Sequence, residues 1–68
     1  MNLEQKEKLL NAFSELSPRQ KEIIYLRIYQ DFSYEEVSEI MQINYQAARN
    51  LFYQSVKNLK KMIFSVFF

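Results

Sequence analysis

The chain contains no cysteine, no histidine and no glycine, and its single proline is Pro18. Without cysteine there is no disulfide framework to staple the fold. Without cysteine or histidine, a zinc site and a thiol nucleophile are excluded, which leaves carboxylates as ligands for a hard cation. No cofactor is expected. Small strand-rich domains need turn residues every several positions, and a chain this poor in glycine and proline cannot supply them. The fold class is therefore all-α. Long hydrophobic runs are absent too: the apolar stretch MIFSVFF at residues 62–68 has seven residues, against the ~20 required to span a bilayer. The N-terminus is polar and leads into no apolar h-region, so no secretory signal and no membrane span are expected, and the expected location is cytoplasmic.

What is present suits a compact helical unit. Sixty-eight residues lie near the lower limit for a single core, and the 49% hydrophobic and 16% aromatic content compensates. The net charge of +1 hides a segregation: residues 1–17 sum to −1, residues 18–31 to +1, residues 32–44 to −3 and residues 45–68 to +4. The last segment is a basic element on a nearly neutral body, as in a nucleic-acid-binding helix, although ordinary solvated charge accounts for it equally well.

Four helices follow from caps and periodicity, at about 3–15, 18–30, 34–41 and 45–63, in one domain covering 1–68. Asn2 with Gln5, Ser17 with Gln20 and Ser33 with Glu36 each have the spacing of a capping box, in which two side chains satisfy two orphan backbone N–H groups. Pro18 fits the first turn of its helix, where its missing N–H costs nothing. Leu3, Leu9, Leu10, Phe13 and Leu16 are expected to face inward from helix one. Ile23, Ile24, Leu26, Ile28 and Tyr29 do the same from helix two, the expected central helix, with Lys21 and Arg27 projecting outward. Val37, Ile40 and Met41 are the inward positions of the short third helix. Glu35, Glu36 and Glu39 have no histidine, lysine or second carboxylate pair that suggests acid–base work, and read as capping and dipole-complementing acids.

Residues 33–61 organise the chain as a short helix, a tight turn and a longer helix, which is a helix-turn-helix without a wing. Ile43 is the plug between the two helices and Asn44 the cap of the second. Gln42 is expected to leave helix three with positive φ, at a cost on the order of 1 kcal/mol for a residue other than glycine. In helix four, Ala48, Phe52, Ser55, Leu59 and Met62 face the core. Gln46, Arg49, Asn50, Tyr53, Lys57 and Lys60 form the opposite stripe. Arg49 suits bidentate contact with guanine, and Gln46 and Asn50 suit adenine edges or phosphates. Lys57, Lys60 and Lys61 suit phosphates. A solvated amphipathic helix would show a similar polar face.

The stretch LSPRQKEIIYLRIYQDFSYEEVSEIMQINYQAARNLFYQSVKNLK resembles region four of bacterial sigma factors, most closely the extracytoplasmic-function group. The likeness is carried by Leu16-Ser17-Pro18-Arg19-Gln20, Tyr25-Leu26-Arg27, Phe32-Ser33-Tyr34-Glu35-Glu36-Val37, Ile43-Asn44 and Lys57-Asn58-Leu59-Lys60. It implies a four-helix domain that recognises the −35 promoter element and docks on the β flap of RNA polymerase core through an apolar concave face. It also implies an anti-sigma factor as a further partner. By position, Gln46, Arg49, Asn50 and Tyr53 correspond to base-reading residues. Arg19, Arg27, Ser33 and Lys57 correspond to residues near the DNA backbone. Leu51, Gln54 and Val56 stand where many members carry arginine, so the phosphate-binding stripe is thin and weak binding by the isolated domain is expected. Such a domain works as part of a longer sigma factor, held near its target by polymerase, and the chain is expected to be a fragment of one, with a natural stand-alone module as the alternative.

The apolar tail at residues 62–68 has three readings. Helix four continues and lays Ile63, Val66 and Phe67 over helix one, or the tail is an exposed patch that pairs with another copy or with a partner protein, or it rests on a membrane surface. Two further functions stay open beside promoter recognition: a protein-interaction module, and a dimeric helix-turn-helix regulator. No catalytic residue is expected, since no nucleophile–base pair or phosphate-cradling glycine loop exists.

Overall fold

Residues 2–67 are described in a computed structural model, with side chains through residue 64. Helix α1 spans Leu3–Ser14, α2 spans Pro18–Ile24, α3 spans Tyr34–Met41 and α4 spans Tyr45–Phe67. A wider π-helical turn, Tyr25–Tyr29, continues α2. No strand occurs among the described residues, and the architecture is a small all-α domain.

The helix starts are set by local chemistry. Asn2, Ser17 and Ser33 each accept a hydrogen bond from the backbone N–H three residues on. Gln5, Gln20 and Glu36 each accept one in return from the cap backbone N–H. At α4 the Ala47 N–H donates to Asn44 Oδ1 at 2.7 Å. Each such cap contributes roughly 1 kcal/mol.

Two helix ends require positive φ without glycine. Gln42 closes α3 at φ 56° and ψ 47°, as expected from the turn. The Gln42 N–H reaches the Glu39 carbonyl at 3.4 Å and the Ile43 N–H reaches the Ser38 carbonyl at 3.0 Å. This is the paired bonding of a Schellman motif, and Ile43 completes it by packing against the cluster that contains Val37. The second site, Asp31 at φ 57°, was not expected. There the π turn ends, with the Gln30 N–H bonded to the Tyr25 carbonyl and the Phe32 N–H to the Leu26 carbonyl, each at 3.0 Å. Aspartate tolerates the left-handed region better than most residues, which makes it a workable stop.

The core gathers Ile23, Leu26, Val37 and Ala48, with Phe32, Met41, Ile43, Leu51 and Phe52 packed against them. Ser55 is fully buried and donates its hydroxyl to its own helix, at the Leu51 carbonyl, at 2.7 Å. That bond removes the cost of a polar group in the core. Helix two supplies Ile23, Ile24 and Leu26 to the core, as expected, and α4 is the element that α1, α2 and α3 each contact. Its 23 residues correspond to about 35 Å, which matches the 36 Å long axis of the molecule. It also runs past the expected end at residue 63.

Several apolar side chains expected inside are exposed, namely Leu3, Leu10, Ile28, Tyr29 and Ile40. Leu3 sits in the first turn of α1, where the chain begins. Ile28 and Tyr29 lie in the π turn, whose i→i+5 bonding displaces them around the axis relative to a continuous α-helix. Of the tail, Ile63 is half-buried and Phe64 exposed. The side chains of Val66 and Phe67, and all of Phe68, lie outside the described residues.

Candidate nucleic-acid interface

The four residues expected to read bases, Gln46, Arg49, Asn50 and Tyr53, are all exposed on the first turns of α4. The helix presents them because Ala48, Phe52 and Ser55 turn inward on its other side. Gln46 donates from Nε2 to Asn50 Oδ1 at 3.1 Å. This leaves the Gln46 carbonyl oxygen and the Asn50 amino group unpaired on the outer surface, an acceptor and a donor side by side. Arg49 has no carboxylate partner. Its guanidinium carbon lies 5.6 Å from the centre of the Tyr34 ring and 5.8 Å from that of Tyr45.

Of the residues assigned to phosphates, Arg19, Lys57, Lys60 and Lys61 are exposed. Ser33 is half-buried and already caps α3: its hydroxyl oxygen accepts the Glu36 N–H at 3.2 Å. The expectation that Arg27 projects outward is corrected. Arg27 is half-buried, and its Nη1 donates to the Phe32 carbonyl at 2.6 Å. Its guanidinium lies 4.2 Å from the Tyr34 ring centre and 5.5 Å from that of Phe52. Arg27 Nε is buried with no hydrogen-bond partner. The physical reason is the sharp turn at Asp31, which carries Phe32 and Tyr34 back over the end of α2 and gives the guanidinium a carbonyl and aromatic faces.

The start of α3 adds the opposite charge. Glu36 accepts the Ser33 N–H at 3.0 Å. Hydrogen bonds from the Ser33 backbone and then from its side chain hold the Glu36 carboxyl below its ordinary value of 4.5. With Glu35 also in the first turn, α3 opens on two carboxylates while α4 has no acid in its first turn.

Behind this face lies a feature that the periodicity did not place. Leu9, Leu10, Phe13, Ile24, Tyr25, Ile28, Tyr29 and Leu59 line a wholly apolar groove of about 380 Å³. The Tyr25 and Tyr29 rings, both from the π turn, stack with centres 5.2 Å apart, and Gln30 Nε2 donates to the Tyr25 hydroxyl at 2.6 Å. The groove's signal is in the sequence: Leu10, Ile28 and Tyr29 sit at inward helical spacing, but the apolar residues exceed what so small a core can bury, and these three stay exposed.

A small all-α domain whose third and fourth helices form a helix-turn-helix, with unpaired amide and guanidinium groups on the second of them, has the layout of a DNA-binding domain. Residues 6–59 match the family Sigma-70, region 4, and the chain belongs to that family. Members are DNA-binding rather than enzymatic domains, and the family binds promoter DNA and RNA polymerase. No curated protein and no solved structure matches the chain. Among the described residues no helix is long and apolar enough to cross a membrane.

Proposed function

We propose that this chain recognises the −35 promoter element as the region-four domain of a sigma factor bound to RNA polymerase. The observation that carries the reading is the exposed set Gln46, Arg49, Asn50 and Tyr53 on a helix-turn-helix within the matched residues. From Gln46 to Tyr53 the set covers roughly 11 Å of helix axis, comparable to the ~12 Å width of the major groove. Lys57, Lys60 and Lys61 follow Arg49 by about 12–18 Å along the same axis. They would therefore meet the phosphates beyond the groove and add affinity without sequence information. Arg27, engaged at Phe32, supports the motif from behind, and Arg19 and Ser33 border it.

The polymerase-binding half of the reading is supported by the apolar groove, which suits the β flap better than any polar partner. The same groove would serve an anti-sigma factor. A chain acting only through that groove would be an interaction module. Selection of bound DNA sequences by the wild-type chain and by Arg49→Ala separates the two. The expected result is a preferred sequence whose specificity relaxes at one base pair in the variant, by about 1–3 kcal/mol of discrimination. An unchanged preference would remove Arg49 from base reading.

A further inference from the structure

Tyr34 and Tyr45 meet edge to face, with ring centres 5.8 Å apart and planes at 73°. The Arg49 guanidinium occupies the corner between them, within 6 Å of both centres. At such distances the negative faces of the rings attract a cation. Tyr34 is itself held on two other sides. Arg27 approaches its ring at 4.2 Å while bonded to the Phe32 carbonyl, and Phe52 packs edge to face at 6.1 Å. Tyr34 belongs to α3, and Tyr45 and Arg49 to α4. The corner therefore spans the turn of the helix-turn-helix.

An arginine on an exposed helix face carries about 2 kcal/mol of rotamer entropy, much of which would be lost on docking against a base edge. A corner that already confines the guanidinium reduces that loss, and the same confinement fixes which base pair it can reach. We infer that Tyr34 and Tyr45 are positioning residues that hold Arg49 in its reading orientation, with Arg27 bracing Tyr34 from behind. The inference rests on the DNA-binding reading of α4 and deepens it. It gives specificity at one base pair to two aromatic side chains that touch no base themselves.

The test uses the full chain and two readouts. In solution NMR, ring currents displace the Arg49 δ-methylene and Nε–H resonances from their ordinary positions. Tyr34→Phe preserves the displacement, whereas Tyr34→Leu and Tyr45→Leu reduce it. Tyr45 is 42% exposed and, unlike Tyr34, does not pack against the core cluster, so its variant perturbs the fold less than Tyr34→Leu. In binding, discrimination at the base pair read by Arg49 falls about two- to fivefold in Tyr45→Leu, with an unchanged salt slope and unchanged discrimination at other base pairs. Tyr34→Phe restores the wild-type pattern, and in an Arg49→Ala background Tyr45→Leu has no further effect. Equal loss at every base pair, or no loss at all, would overturn the inference. Undisplaced Arg49 resonances in the wild-type chain overturn the corner alone. A wild-type chain without any sequence preference overturns the DNA reading and with it the corner's role.

Discussion

On the outer face of α4, Gln46, Arg49, Asn50 and Tyr53 stand in solvent with polar groups free to bond. On the far side, Leu10, Tyr25, Ile28 and Tyr29 stand in solvent with almost nothing but carbon to offer. Both surfaces are built from residues that the helices could not use internally. The difference lies in what the core required. Its buried positions are Leu16, Ile23, Ile24, Leu26 and Val37 with the small Ala12, Ala48 and Ser55, and α1, α2 and α3 all pack on α4. A core of so few residues leaves other bulky apolar side chains outside, and they line the groove between α1, the π turn and α4. A 68-residue chain thus carries one surface with the chemistry of base edges and another with the chemistry of a protein partner.

The largest expected effect comes from removing what the two surfaces share. Ile23 is fully buried in α2 at the centre of the core cluster. Ile23→Ala should cost about 2–5 kcal/mol, against a total stability of roughly 3–10 kcal/mol for a chain of this size. Thermal melting should shift down by at least about 10 °C, and DNA binding and polymerase binding should be lost together. A variant that keeps either activity at full strength would show that the two surfaces do not depend on one core.

A smaller perturbation separates them. Ile28 is 62% exposed in the groove, so Ile28→Glu should leave stability within about 0.5 kcal/mol of the parent. Polymerase binding should weaken about tenfold, the scale expected for a central interface side chain. DNA selection by the chain alone should not change. If Ile28→Glu leaves polymerase binding intact while altering DNA selection, the assignment of partners to surfaces is reversed.

What could be read in advance divides along the same line. The caps at Asn2, Ser17, Ser33 and Asn44 are short-range, each deciding one bond within three residues, and all four form. The left-handed Gln42 was legible for the same reason, since a turn of three residues leaves few ways out of α3. The exposure of Arg49 and Asn50 was legible because a helix with Ala48 and Ser55 inside must present them outside. Arg27 was not, because its orientation depends on a carbonyl and rings that arrive only after the turn at Asp31. Nor were Ile28 and Tyr29, because helical periodicity assumes 3.6 residues per turn and the π turn breaks that register.

The smallest effect concerns the one capping box that titrates. The boxes at α1 and α2 close with Gln5 and Gln20, whereas the box at α3 closes with Glu36. Bonds from Ser33 lower the Glu36 carboxyl below 4.5, so folding favours its ionised form. The sign follows from linkage: the stabilisation is fully present above the unfolded value of 4.5 and is lost as pH falls through the lower folded value. Glu36→Gln keeps an amide oxygen for the Ser33 N–H, as the other two boxes do, but cannot titrate. At neutral pH the variant should melt close to the wild type, with a slight loss because Glu36 also complements the α3 dipole. Below pH 4.5 the wild-type melting temperature should fall more steeply than that of the variant, and the two curves should converge. Curves that stay parallel down to pH 2 would show that Ser33 holds the carboxylate no better than water does, and that the box at α3 is no different from those at α1 and α2.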